Sequence, residues 1–246
     1  DAQESRGLGD VYKRQERHNA RYDLTRDAQD QVAALSHQHA AAAQAAGVFD
    51  DEIVPVAVPQ RRGEPVLVTA DEGIRPDTTV ESLAGLRAAF ADGGSITAGN
   101  SSQISDGASA VVVTTRGTAE AKGWPVLVTV GASGQTAGPD NSLQAQPARA
   151  IERACEKQGI APADLDVVEI NEAFGAVVAR SQVELGLSSD VVNIHGGGIA
   201  IGHPIGASGT RLVVHVAHEL ARRGSGTAAV GLCGGGGQGE ALILTR

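Results

Sequence analysis

Glycine placement narrows what this chain can fold into more than any other feature. Glycine fills 32 of 246 positions and crowds two short stretches, Gly196 to Gly209 and Gly231 to Gly239. It permits close backbone approach and positive φ but adds nothing to a core. The aromatic residues are only Tyr12, Tyr22, Phe49, Phe90, Trp124 and Phe174, so the interior must consist of Val, Leu, Ile and Ala packed at close range. A length of 246 residues implies one large domain or one domain with an appendage, at about 100 to 200 residues per domain.

Several classes fall away on composition. The formal net charge is −9, with no basic patch interleaved with aromatics, which speaks against nucleic acid as a partner. No run approaches the ~18 apolar residues of a membrane span. Cys155 and Cys233 are the two cysteines, too few for a disulfide framework, and nothing resembles a secretory signal, so the expected location is the cytoplasm. The sequence contains no Met. It therefore reads as a fragment, and its polar opening, Asp1 to Arg21, carries mixed charges without apolar periodicity.

Periodicity and punctuation give the order of elements. Thr25 is an N-cap, Asp27 stands in the first turn and an Ala-rich helix runs to Gly47. Phe49 to Pro59 is extended, Pro65 to Thr69 a strand, Thr79 to Phe90 a helix and Ala108 to Thr115 an apolar β-branched stretch. Val126 to Val130 is a strand, Gln144 to Gln158 a helix, Val167 to Ile170 a strand, Glu172 to Leu185 a helix and Val191 to Ile194 a strand. Ser208 to Arg223 is a helix, and Thr227 to Cys233 with Glu240 to Thr245 form an antiparallel hairpin closed by glycines. The alternation predicts an α/β layered sheet, with the last two strands as an antiparallel hairpin. The continuous apolar runs Val66 to Val68, Val111 to Val113 and Val126 to Val130 read as strands covered on both faces.

Three segments place a polar group at a strand end, where α/β sheets collect ligands. Asn171 follows the strand Val167 to Ile170; it either caps the next helix or supplies an amide that fixes a water or an oxyanion. His203 lies among Gly196, Gly197, Gly198, Gly202 and Gly206, whose backbone entropy has no evident packing return. His37, His39, His215 and His218 sit on helices, where packing or solvation is the expected role. Cys233 ends a strand and faces Gly234 to Gly237, whose amides would stabilise a thiolate or an oxyanion; Cys155 reads as a buried structural cysteine. No Cys-x-x-Cys or His-x-x-x-His spacing points to a metal.

Taken together, Asn171-Glu172-Ala173-Phe174, the segment Gly196 to Gly209 and Cys233 to Gly239 resemble the active-site motifs of the thiolase family, CoA-dependent acyltransferases that make or cleave 3-ketoacyl-CoA. Phe49 to Val56 and Thr97 to Ala108 are similar to that family as well, and the resemblance runs from about Leu24 to Arg246. It implies a layered thiolase-like α/β fold, with residues 1–23 unmatched, 24–95 a remnant of the loop domain and 96–246 the C-terminal domain. It gives His203 the role of activating a nucleophilic cysteine and, with a water on Asn171, of forming an oxyanion hole. It makes Cys233 the acid/base and the Gly235 amide a donor of a second oxyanion hole. For CoA it places Arg75 at the adenine and Ser102 at the pantetheine, with Phe90, Ala98 and Phe174 lining the acyl pocket. It further implies CoA thioesters as substrates, no permanent cofactor or metal, and a homodimer or homotetramer for the parent protein.

The sequence departs from that family in one respect: it offers no acyl-accepting cysteine. The alternative is then a non-catalytic thiolase-like protein that binds CoA esters or lipid. A ketosynthase-type condensing enzyme would carry a second histidine in place of Asn171 and Cys233, and neither position has one. The Asp1 to Gln15 stretch reads as a junction unrelated to the rest.

Overall fold

The computed structural model describes residues 15–246. The expected junction over Asp1 to Gln15 thus lies outside the described residues, Gln15 apart. A helical segment over 15–21 leads into α1 (Arg26–Ala45), which begins as its sequence dictates: Thr25 Oγ1 accepts from the Ala28 amide at 3.1 Å. Gly47, at φ +72°, turns the chain out of it. The buried face of α1 carries Ala33, Ala34, Ala40 and Ala43, which let its backbone come close to later elements, beside the buried polar side chains Gln29, Asp30, Ser36 and His37.

The central sheet has four strands in the order β3 (Thr129–Ala137), β6 (Gln238–Thr245), β5 (Thr227–Gly234), β4 (Val167–Ile170). Only β4 and β5 are parallel, with Ile170 opposite Gly231, so the sheet is mixed, and β5 with β6 forms the expected antiparallel hairpin. The reason is the connections. A tight glycine turn can join β5 to β6 only antiparallel, β3 adds antiparallel to the free edge of β6, and the long crossover from β4 to β5 alone permits parallel pairing.

Two helices cover this sheet. On one face α4 (Gln146–Gln158) packs Ala148, Ile151, Ala154 and Cys155 against Val168, Ile170, Ala229 and Ile243. On the other, α7 (Ser208–Arg223) packs Leu212, Val216 and Leu220 against Val167, Ala228, Val230 and Leu244. Ala228, Ala229 and Val230 thus alternate between the two layers, the period of two that a strand imposes. Gly134 of β3 lies directly under the Ala150 carbonyl of α4, so glycine is required there. Between β4 and α7 the chain forms α5 (Gly175–Leu185) and the single turn α6 (Gly198–Ile201), both packed on α1.

Several expected elements differ. The helix predicted over Thr79 to Phe90 is α2 (Val80–Ala84), which ends at Gly85. Val66 to Val68 forms β2, paired with β1 (Val56–Val58) in a separate two-stranded hairpin whose apolar residues are exposed rather than covered. Val111 to Val113 forms no strand, and Val112 is 83% exposed: no described strand lies alongside to take its backbone hydrogen bonds. A short helix, α3 (Arg116–Lys122), follows it. Of Val126 to Val130, only the last two residues enter β3. Val191 to Ile194 makes one bridge, Val192 to Val168, because Asn193 at φ +51° turns the chain away.

A chain of polar groups, with His215 and Glu219 buried and Arg222 at the surface, ties the 48–53 segment to α7. His215 Nδ1 lies 3.0 Å from both carboxylate oxygens of Glu52, and His215 Nε2 lies 3.0 Å from His195 Nδ1. Arg222 reaches Glu52 at 3.5 Å and Glu219 at 2.9 Å. Burial, reinforced by the positive charge of His215, holds the His195 imidazole down to about 4. A histidine held below its ordinary value of about 6.5 binds fewer protons in the folded than in the unfolded chain, so it makes stability rise with pH between about 4 and 6.5. His195→Gln should therefore flatten the stability profile in that window, by up to about 1.4 kcal/mol per pH unit, and leave the profile above pH 7 parallel to that of the wild type. Urea unfolding between pH 4.5 and 7.5 measures it; an unchanged slope means that His195 is not the group titrating.

Candidate active site

The carboxyl ends of β4 and β5 lie at the same edge of the sheet, because the strands are parallel and in register. Asn171 immediately follows Ile170 and donates its amide to the Gly231 carbonyl at 2.9 Å. Cys233 stands two residues beyond Gly231 on the neighbouring strand. Asn171 does not cap α5, whose N-cap is Phe174 without a side-chain bond. Its side chain points to the histidine instead: Asn171 Nδ2 lies 3.2 Å from His203 Nε2. Asn171 Oδ1 is buried without a hydrogen-bond partner among the described residues.

The other ring nitrogen of His203 is fixed by Ser208, the first residue of α7. Ser208 Oγ donates to the Pro204 carbonyl at 3.0 Å and so receives the proton of His203 Nδ1 at 2.6 Å. That pairing leaves Nε2 as a lone pair, the one Asn171 donates to. Burial, and then the positive charge of Arg211, hold the His203 imidazole below its ordinary range. The group is a neutral base with a defined tautomer, the state in which histidine accepts a proton.

The glycines around His203 do have a packing reason, contrary to expectation. A Cβ at Gly196 would strike the Ser36 carbonyl, one at Gly202 would strike Ser105 Oγ, and one at Gly197 would come 2.6 Å from Glu172 Cδ. Gly196 and Gly202 also have positive φ, +78° and +95°. Glu172 explains the crowding. Its buried carboxylate receives Ser36 Oγ at 2.5 Å, Asn193 Nδ2 at 2.8 Å and the Ile199 amide at 3.0 Å, and burial pushes its pKa above the usual range against those donors. The turn carrying His203 thus folds around a carboxylate adjacent to Asn171.

Cys233 also departs from expectation. The glycine amides do not make it a thiolate: burial outweighs its backbone hydrogen bond and pushes the thiol up to about 12. Gly235 lies in the exposed turn after β5, where a Cβ would meet nothing within 4 Å. Cys155 is buried on α4 with its thiol likewise raised, by burial first and then by Asp164 and Glu152.

The residues proposed for CoA fall into two groups. Ser102 donates its amide to the Ala173 carbonyl at 3.1 Å, and Ser101 bridges Phe174, so Ser102 and Phe174 are side by side next to Asn171. Ala98 is in the turn just before, held by Asn100, whose buried amide contacts Asp30 Oδ1 at 2.8 Å and the Ser95 carbonyl at 3.0 Å. Phe90 borders a separate cleft of about 600 Å³ with Leu24, Glu16 and Gly94. Arg75 is exposed, its backbone fixed by an amide donated to His37 Nδ1 at 3.1 Å. Sequence reading missed Ser208, Glu172, Asn193 and Asn100. A serine five residues after the histidine and an acid following Asn171 were the available signals, but their partners lie up to 136 positions away.

Residues 11–117 match the family model for the thiolase N-terminal domain, and residues 124–246 match that for the thiolase C-terminal domain. The chain belongs to the thiolase family. The first match begins at residue 11, upstream of Leu24. A probable acetyl-CoA acetyltransferase of Mycolicibacterium smegmatis is 55% identical over 246 residues, covering 98% of this chain and 63% of that protein. An acetyl-CoA acetyltransferase of Pseudomonas aeruginosa is 48% identical over 227 residues, covering 92% of this chain and 58% of that protein. Among solved structures, the Bacillus anthracis acetyl-CoA acetyltransferase superposes with a TM-score of 0.90 at 39% identity, over 97% of this chain and 59% of that one. Human mitochondrial 3-ketoacyl-CoA thiolase in complex with CoA gives 0.85 at 31% identity, over 96% and 58%. This thiolase chain thus spans about three fifths of the length of the relatives it matches.

Ser208→Ala removes the acceptor of His203 Nδ1–H. The neutral ring of His203 should then shift toward the Nε2–H tautomer, visible in imidazole ¹⁵N shifts at pH 8, with a stability loss of about 1 kcal/mol. An unchanged tautomer shows that something other than Ser208 fixes the ring.

Proposed function

We propose that this chain supplies the base, the oxyanion-hole residues and the acid/base thiol of a thiolase-type acyltransferase, which transfers acetyl groups to or from CoA with formation or cleavage of 3-ketoacyl-CoA. The observation that carries the reading is the Ser208–His203–Asn171 chain at the strand edge shared with Cys233. His203, neutral with Nε2 unprotonated, exchanges its bond from Asn171 for the proton of a nucleophilic thiol, and the resulting Nε2–H together with the Asn171 amide stabilises the thioester oxyanion. In cleavage, attack of that thiol on the 3-keto carbon breaks the Cα–Cβ bond, and Cys233 S–H protonates the departing acetyl-CoA enolate. The Cys233 thiolate then takes the proton of incoming CoA, whose sulfur displaces the acyl group from the enzyme. A thiol raised to about 12 rests in the protonated form that this first step requires. The Gly235 amide, in its open turn, is the donor we assign to the enolate oxygen.

For CoA we assign Ser102 and Phe174 to the pantetheine and acyl side, with Ala98 just before them, and the exposed Arg75 to the adenine; Phe90, on its separate cleft, is left out of this group. We assign residues 24–95, with the separate β1–β2 hairpin, to a loop domain over this site and 96–246 to the catalytic domain; residues 11–23 fall within the N-terminal family match. We further place the protein in the cytoplasm as a homodimer or homotetramer. Among the described residues no helix is long and apolar enough to cross a membrane.

A binding-only reading draws on the cysteines. Cys155 is buried in the α4 core and Cys233 is committed to the strand end, so neither suits an acyl acceptor, and that thiol has to come from outside these 246 residues. The chain incubated with acetoacetyl-CoA and CoA should accordingly show no sustained turnover and no acetyl group on either cysteine by intact-protein mass spectrometry. Stoichiometric acetylation of Cys155 or Cys233 that CoA discharges would place the nucleophile inside the chain and overturn this division of roles. Calorimetric titration with CoA, repeated on Ser102→Ala and Arg75→Ala, tests the ligand site: weak binding lowered further by both substitutions is expected.

A further inference from the structure

Gln103 follows Ser102, and no role for it has yet been needed. Its half-buried side chain faces three backbone carbonyls at once: Nε2 lies 3.1 Å from Gly73 O, 3.0 Å from Ile199 O and 3.0 Å from Ala200 O. Only the NH₂ end of the amide can face three acceptors, and its two protons are shared among them. Its own backbone carbonyl accepts the His203 amide at 3.3 Å. The fit is tight, since a Cβ at Gly73 would fall 2.5 Å from Gln103 Nε2. One residue thus joins three segments: the loop leading to Arg75, the closing carbonyls of α6 and the backbone of His203.

We infer that Gln103 is the positioning residue that sets the height and orientation of the His203 turn. The carbonyls it holds leave the α6 turn just before Gly202, where φ +95° lets the chain swing into His203. The amide of Glu172's partner, Ile199, fixes the start of that turn, and Gln103 fixes its end. Without the Gln103 clamp those carbonyls have no other side-chain donor among the bonds the structure shows, and the turn is free to lift His203 away from Asn171. The role of His203 rests on the functional reading above; the geometry of the clamp does not.

The test reads the imidazole itself in the free 246-residue chain. The His203 Cε1–H and ring ¹⁵N signals, assigned by their loss in His203→Gln, are followed from pH 5 to 8 in wild type, Gln103→Leu, Gln103→Asn and Gln103→Glu, well below each variant's unfolding temperature. Leu removes the donor, Asn keeps the amide one methylene short, and Glu places a carboxylate against three carbonyls. Each should move the lowered His203 pKa back toward its ordinary value of about 6.5 and mix its tautomers. The Gln103→Glu carboxyl, its pKa raised among those carbonyls, can donate only when protonated, so its deficit in melting temperature relative to wild type should be smaller at pH 4.5 than at pH 8. A merely structural clamp would lower melting temperatures and leave the His203 titration of the folded chain unchanged. That result in Gln103→Leu and Gln103→Asn overturns the inference, including when Gln103→Glu fails to fold. Because no substrate is present, a chain that neither binds CoA nor turns over would count against the functional reading and not against this one.

Discussion

A buried carboxylate organises the site on which everything else depends. Glu172 is almost without solvent contact, and an ionised carboxylate in such a place is tolerated only if its lone pairs are met by donors. They are met from three elements far apart in sequence: Ser36 on α1, Asn193 after the β4 bridge and Ile199 on α6. Asn193 also closes both ends of a bond pair with Ile170, accepting from its amide at 2.8 Å and donating to its carbonyl at 2.9 Å. The helix layer, the strand and the glycine turn are therefore joined through one side chain, next to an Asn171 that is equally buried and faces His203.

This arrangement explains where glycine was needed. A chain that wraps its backbone around a carboxylate and against a helix carbonyl has no room for Cβ atoms at Gly196 and Gly197. The stretch that looks, in sequence, like flexible loop is packed as tightly as the core. Gly198, Gly206 and Gly209 are exceptions: a Cβ would meet only ordinary contacts at Gly198 and Gly209 and nothing within 4 Å at Gly206, where the chain passes from Pro204 into α7.

Local patterns were legible and distant partners were not. The cap at Thr25, the helix over Ser208 to Arg223 and the closing hairpin follow from residues within a few positions of each other, so the sequence shows them directly. Asn171 and Cys233 were legible as polar groups at strand ends, whereas His203, expected at a strand end too, follows the α6 turn instead. What failed was inference about cover and charge. Val66 to Val68 and Val111 to Val113 are apolar in composition, but burial is a property of what packs on a strand, and nothing described packs there. The Cys233 thiolate failed for a related reason: glycine amides are countable in sequence, whereas the desolvation that outweighs them depends on neighbours brought in by β6 and the surrounding core.

The protonation states that result are complementary, and the complementarity follows from position in the fold. His203 sits where burial and Arg211 oppose an added proton, which keeps it ready to receive one. Cys233 sits where burial opposes loss of a proton, which keeps it ready to give one. Both shifts have desolvation as their largest cause, and desolvation disfavours the charged form of either group: the base stays neutral and the acid stays neutral. A single physical effect therefore keeps both an imidazole and a thiol neutral at this end of the sheet, since charging either would place an ion where desolvation opposes it.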